Sequence, residues 1–257
     1  MSFITERWGS QPIVDDVNAL YRLYRDDKSS GVDHIVGQKG VLTLDRLPAI
    51  LDPSDPTSSQ QDKIQSVYDN CIALLDIDRK ATPFKQLQGT LFKEAFESDV
   101  LRGQVYPDVF ESVDLWTQSN ASVYIYSSGS IAAQKLLFGN CGPTTQADQK
   151  QQAAINLLPK FKGHFDTTIG SKIESTSYTN IINQIDSATA DTTLFVTDSQ
   201  KEALAASQSN LNVAISIRPG NTPLDESLTQ QIKSINPSVS TITSFIDLFN
   251  HYTFQQQ

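Results

Sequence analysis

Apolar positions divide this chain into two regions with different periods. From residue 12 to about residue 96 they recur at three- and four-residue steps, the spacing of one helix face. Ile13, Val17, Leu20, Tyr21 and Tyr24 predict one helix, and Ile64, Val67, Tyr68, Cys71 and Leu74 or Leu75 predict a second. A third follows Pro83, with Leu87, Leu91, Phe92 and Phe96 on one side. Between the first two, Leu51-Asp-Pro-Ser-Asp-Pro-Thr-Ser-Ser59 concentrates prolines and N-cap residues, which mark a break and a restart.

After Gly103 the pattern changes. A helix from Val109 to Trp116 precedes the β-rich run Ser122-Val-Tyr-Ile-Tyr126, which ends in Ser127-Ser-Gly-Ser130. A helix then carries Ile131, Leu136, Leu137 and Phe138. Residues 141–156 are polar and Gln-rich and predict a surface insertion. There follow a short strand near Phe165, a helix from about Glu174 to Ile185, the strand Thr193-Leu-Phe-Val-Thr197, a helix from Gln200 to Ser207, and the strand Val213-Ala-Ile-Ser-Ile217. A last unit from Ile242 to Phe249 closes the chain, with a frayed end at residues 255–257. Alternating short strands and helices predict the α/β class, with a parallel sheet and crossover helices, beside a mostly helical first region.

Composition narrows the function classes. The 257 residues carry 20 Lys and Arg against 29 Asp and Glu, a net charge of −9 without a basic stripe, so nucleic acid is not an expected partner. No apolar run is long enough to span a bilayer. The first eight residues show neither a basic leader nor an apolar stretch, which argues against a secretory signal. Cys71 and Cys141 lack C-x-x-C spacing and read as reduced structural thiols. A cytoplasmic or nucleocytoplasmic address is the expectation.

In open α/β sheets ligands bind beyond the carboxyl ends of the strands. Three polar groups fall there: Ser127-Ser128-Gly129, Asp198 and Arg218-Pro-Gly-Asn221. Hydroxyls and free N–H groups opening a helix suit a phosphate, although a serine there also serves as a plain N-cap. Asp198 suits a hard, oxygen-seeking ion such as Mg²⁺, although aspartate before a helix is commonly a cap. Glu202, four residues on, would share its face if both were helical. Lys172, in Gly170-Ser-Lys-Ile-Glu174, can hold a phosphate or stand solvated.

The order Ser127, Lys172, then Asp198 with Glu202 resembles the second, third and fourth motifs of haloacid dehalogenase-type phosphatases. Lys85-Gln-Leu-Gln-Gly89, Val123-Tyr-Ile-Tyr-Ser-Ser-Gly-Ser130, Ala133-Gln-Lys-Leu-Leu-Phe-Gly139, Gly163-His-Phe-Asp-Thr167 and Arg218-Pro-Gly-Asn221 together resemble the eukaryotic enolase-phosphatases, from about Phe3 to Phe249. The resemblance implies a Rossmann-like core at 103–257, a helical cap at 12–102 and, at 1–11, the remnant of a helix connecting them. It implies conversion of 2,3-diketo-5-methylthiopentyl-1-phosphate to the acireductone and phosphate in methionine salvage, with Mg²⁺ as cofactor. Ser127, Ser128 and Lys172 would contact the phosphate, Asp198 would ligate Mg²⁺, and Glu202 would stand behind that ligand. The expected protein is a monomer, with a small phosphorylated diketo substrate as partner and neither nucleic acid nor membrane.

One motif of the superfamily has no counterpart. Its attacking aspartate and its general acid lie in a D-x-D or D-x-E segment ending the first, central strand, and Phe3-Ile-Thr-Glu-Arg-Trp8 resembles the helix after that segment. The expectation is a core without its first strand, in a truncated or inactive form of the enzyme. The alternative is a pseudophosphatase that binds a phosphorylated metabolite without turning it over. Ala73-Leu-Leu-Asp76-Ile-Asp78 imitates the motif, but its apolar residues keep helical spacing and Arg79 and Lys80 occupy the turn, so it reads as a solvated helix end.

Overall fold

The computed structural model describes residues 2–143 and 153–252. They form two compact units, Met1–Leu101 and Arg102–Gln257. Among the described residues no helix is long and apolar enough to cross a membrane.

In the first unit, α1 (Ser2–Arg7), α2 (Gln11–Ser29), α3 (Gln60–Asp76) and α4 (Thr82–Glu97) are joined by a hairpin of β1 (His34–Val36) and β2 (Val41–Thr43). The helical spacing does what it predicts. Ile13, Val17 and Leu20 of α2 meet Ile64, Val67 and Leu74 of α3 and Phe84 and Leu87 of α4 in one buried cluster. Each such side chain contributes roughly 1.5–3 kcal/mol by leaving water. Ser59 caps α3 by accepting from the Asp62 N–H, and buried Asn70 donates to the Pro48 carbonyl at 2.8 Å, tying down the preceding loop. Arg79 closes the unit with two hydrogen bonds to Asp27, at 2.5 and 2.8 Å.

The hairpin is the non-helical element that the mostly helical expectation for this region did not name. Its strands are three residues long with Val36 and Val41 exposed, so no alternation announces them. Its turn docks on the link between α3 and α4, where the Lys39 N–H donates to the Ile77 carbonyl at 3.0 Å and the Gln38 N–H to the Asp78 carbonyl at 3.2 Å. Asp76 ends α3, exposed, and Asp78 sits in a left-handed turn (φ 55°), paired with Lys80 at 2.6 Å. No strand leads into either carboxylate.

The second unit holds β3 (Gly103–Val105), α5 (Pro107–Gln118), β4 (Val123–Tyr126), α6 (Ile131–Gly139), β5 (Cys141–Pro143), β6 (Phe161–Phe165), α7 (Ser175–Ile182), β7 (Leu194–Thr197), α8 (Gln200–Gln208), β8 (Asn212–Ser216), α9 (Glu226–Ile235), β9 (Ser240–Ile242) and α10 (Leu248–His251). Every strand pair here is parallel: β3 with β5, β4 with β6, and β7–β8–β9 as a triplet. The expected insertion therefore begins as a strand, with Cys141 fully buried beside Val105 and Leu157. The remainder of that expected insertion at 144–152, and the expected frayed end at 255–257, lie outside the described residues. Helix α9 carries few apolar residues, but Asp225 caps it, Glu226 opens it and buried Ile232 anchors it.

Side-chain layers run across the β4–β6 and β7–β8–β9 sheets. On one face Val123 and Phe161 cluster with Leu194, Val196 and Ala214 under Val113 and Trp116 of α5. On the other, Tyr126 clusters with Phe195, Val213 and Ile215 under Tyr178 of α7, Ala203 and Ala206 of α8, and Ile232 of α9. No ladder hydrogen bond joins β4 to β7, however, so each has one edge unpaired among the described strands.

Gly37 offers a direct test of the hairpin. A Cβ there would stand 1.9 Å from the Ile77 carbonyl oxygen, a backbone atom that cannot step aside. Gly37→Ala is expected to cost about 1–3 kcal/mol, read as a lower melting temperature. An unchanged melt would show that the turn does not dock on Ile77.

Candidate active site

The rim at the carboxyl ends of β4, β6, β7 and β8 is built largely from side chains that brace one another. After β4, the Ser127 hydroxyl accepts from the Gly129 N–H at 3.1 Å, and Ser130, not Ser127 or Ser128, caps α6 by accepting from the Ala133 N–H. Ser128 is exposed, with its hydroxyl free of hydrogen bonds among the described residues. Buried Gln134 holds this loop to β6: its amide nitrogen donates to the Gly129 and Phe165 carbonyls at 2.9 and 2.8 Å, and its oxygen lies 3.1 Å from His164 Nδ1. Asp166, directly after β6, accepts from the Ile131 N–H at 3.2 Å and from the Thr168 N–H and hydroxyl at 3.0 and 2.6 Å. The Thr168 bonds first, then the Ile131 N–H, hold its carboxyl below the usual range.

Lys172 sits on a loop pinned from three sides. The Tyr126 hydroxyl donates to the Gly170 carbonyl at 2.8 Å, the Ser177 hydroxyl to the Ser171 carbonyl at 2.7 Å, and the Tyr178 hydroxyl to the Lys172 carbonyl at 2.6 Å. Gly170 is required there: its φ is 140°, and a Cβ would fall 2.1 Å from the Ser177 hydroxyl. The ammonium lies 5.8 Å from the centre of the Tyr126 ring and 2.7 Å from Glu202 Oε2, with both side chains mostly buried. The Thr197 hydroxyl donates to that same oxygen at 2.7 Å. Burial, then nearby Glu202, raises the Tyr126 phenol.

Glu202 is thus engaged by Lys172 and Thr197. Asp198 precedes the helix, whose cap is Ser199, so the shared-face geometry of two helical residues does not arise. Asp198 instead stands exposed and accepts through Oδ2 from the Asn221 amide at 3.0 Å, its one side-chain hydrogen bond among the described residues. No group of three His, Cys, Asp or Glu converges among the described residues. The free Oδ1 of Asp198 still fits Mg²⁺, which takes one or two protein carboxylates and completes its shell with water and phosphate oxygens.

The loop that delivers Asn221 is anchored by Arg218. Its guanidinium lies 4.7 and 5.0 Å from the ring centres of Tyr106 and Phe245 and 2.5 Å from Asp108 Oδ2. That oxygen also accepts from the Ser244 hydroxyl and the Phe245 N–H, at 2.9 and 2.7 Å. Burial pushes the Asp108 carboxyl up, but the bonds from Arg218, Phe245 and Ser244 outweigh it and hold it below the usual range. Sequence reasoning placed Arg218-Pro-Gly-Asn221 at the rim without a partner for either side chain. It gives no role to Thr197 or Gln134, since hydroxyls and amides on regular elements carry no spacing signal.

No protein-family model matches the chain. Over 254 residues it is 39% identical to the enolase-phosphatase E1 of Dictyostelium discoideum, covering 98% of this chain and 86% of that protein. The chain belongs to the enolase-phosphatase family. The enolase-phosphatase E1 of Xenopus tropicalis is likewise 39% identical, over 95% of this chain and 81% of its own length. Membership makes this a chain of a phosphatase family of hydrolases. The crystal structure of the UTR4 protein of Saccharomyces cerevisiae superposes with a TM-score of 0.58 at 24% identity, over 93% of this chain and 91% of that one, a likeness of fold. The fold is α/β, with parallel strands and crossover helices in the second unit.

The Asp108 clamp predicts an acid limb. A carboxyl held low when folded adds stability above its unfolded value, and that stability is lost as pH falls through the folded value. Asp108→Asn is therefore expected to lower the melting temperature at pH 7 and to converge on the parent as pH drops below the ordinary 3.8. A constant difference between the two from pH 7 to pH 3 would show that the clamp is not ionic.

Proposed function

We propose that this chain is a Mg²⁺-dependent enolase-phosphatase of methionine salvage, acting on 2,3-diketo-5-methylthiopentyl-1-phosphate. The residues of Met1–Leu101 serve as its cap and those of Arg102–Gln257 as its core. One observation carries the reading: the 2.7 Å pair of Lys172 and Glu202 draws the loop after β6 to the helix after β7. Phosphate-binding hydroxyls and a metal-seeking carboxylate then belong to one rim.

In this reading Ser127, Ser128 and the N–H groups beside them receive phosphate oxygens, and Lys172 meets a further oxygen from above the Tyr126 ring. Glu202 orients Lys172, and Thr197 orients Glu202. Asp198 would hold Mg²⁺, which when bound draws negative charge off the phosphoryl group. Asp166 is committed to the start of α6 and to its own turn, which leaves it unsuited to attack phosphorus.

The attacking carboxylate is then expected on a strand between β4 and β7. Two findings support that slot: both strands have an unpaired edge, and apolar layers on both faces already include residues of each. By themselves, the residues described here would grip a phosphomonoester without hydrolysing it. The absence of a D-x-E strand end among them equally suits a pseudophosphatase that only binds its metabolite.

The two readings separate when phosphate release is measured with Mg²⁺ for the chain alone and for the chain extended by a strand ending in D-x-E. The enzyme reading expects release by the extended chain, faster from the diketo phosphate than from a generic phosphomonoester, with a higher melting temperature. Lys172→Met in the extended chain is expected to lower the rate by about 10²-fold. An inert extended chain that still binds phosphate leaves the pseudophosphatase. Turnover by the unextended chain that vanishes on Asp76→Asn would overturn both.

A further inference from the structure

We propose that Asn221 is a positioning residue, which fixes the Asp198 carboxylate so that Oδ2 is held and Oδ1 is presented to a divalent cation. The proposal rests on the reading of Asp198 as the metal ligand and adds what aims it. An exposed aspartate at a strand end otherwise rotates freely, and Asn221 is its one side-chain partner among the described residues.

The amide is itself prevented from turning. Arg218-Pro219-Gly220-Asn221 forms a β-turn closed by the Asn221 N–H donating to the Arg218 carbonyl at 3.0 Å. Pro219 suits its second position and Gly220, at φ 90°, its third, the signature of a type II turn. This turn brings the Asn221 side chain back on itself, so that its Oδ1 accepts from the Arg218 N–H at 2.7 Å. With the oxygen so occupied, the NH₂ faces Asp198. A flipped amide would set its oxygen against a carboxylate and its NH₂ against an N–H, losing both bonds.

The turn is held in place from outside. The Arg218 guanidinium is fixed by Asp108 at the start of α5 and by the rings of Tyr106 and Phe245, and the Tyr106 hydroxyl donates to the Pro219 carbonyl at 3.3 Å. Asp108 is in turn secured by Ser244 and Phe245, just after β9. The orientation of Asp198 is thereby referred to α5 and to the end of β9, well away in sequence. A planar guanidinium is needed for this, because lysine cannot lie flat against two rings while bonding a carboxylate.

The test is Mn²⁺ binding, followed by electron paramagnetic resonance, with thermal melts of the same proteins. Asp198→Asn is expected to abolish binding. Asn221→Ala leaves the backbone turn bond intact, and it is expected to weaken binding about ten-fold with the melting temperature unchanged. Arg218→Lys is expected to weaken binding in the same direction. Parental Mn²⁺ affinity in Asn221→Ala, whether or not its melt falls, overturns the positioning role while leaving Asp198 as ligand. No binding by the parent, or undiminished binding by Asp198→Asn, removes the ligand assignment and this proposal with it.

Discussion

An ammonium taken largely out of water needs a counter-charge within reach, and that need shapes the rim of this core. Lys172 and Glu202 are both mostly buried and stand 2.7 Å apart. Such a pair offsets its desolvation only when the remaining lone pairs and protons are also satisfied. Here Thr197 supplies a second donor to the same glutamate oxygen, and the Tyr126 ring lies under the ammonium. The pair ties the loop after β6 to helix α8, which follows β7. It therefore links the β4–β6 sheet to the β7–β8–β9 sheet where no ladder hydrogen bond does.

Around that pair, the rim follows from local chemistry. Each strand ends in a turn whose N–H groups would be orphaned, and a nearby side chain accepts them: Ser127 for Gly129, Asp166 for Ile131 and Thr168, Thr197 for Ser199. A site made this way is rigid because its residues are already spoken for. What remains open is small, chiefly the Ser128 hydroxyl and one oxygen of Asp198, and the proposed function uses both beside the already engaged Ser127 and Lys172.

Much of the fold was legible because period is a strong signal over long elements. Helices α2, α3 and α4 each place buried residues at the spacing seen in the sequence, and β4, β7 and β8 emerge from short apolar runs ending in polar residues. The hairpin, β3 and β5 were not legible, since three-residue strands leave no room for alternation. Helix α9 was missed for a different reason: its signal lies in Asp225, Glu226 and Lys233 at its ends, with Ile232 its one fully buried anchor. At the rim, strand ends could be placed but partners could not. Spacing set Glu202 beside Asp198, whereas the helix starts two residues after Asp198, and Glu202 as its third residue turns to Thr197 and Lys172.

The edges of β4 and β7 that stand unpaired among the described strands reach beyond catalysis. An edge presents alternating N–H and C=O groups that recognise any extended backbone, whatever its side chains. Well-behaved proteins blunt such edges with lysine, proline or a bulge, yet β7 reads Leu194-Phe-Val-Thr197 and carries none of these. Solubility and completeness of the sheet are therefore linked. Whatever strand occupies that place also shields the molecule from stacking against its own copies, so selection for a filled slot acts through aggregation as well as through turnover.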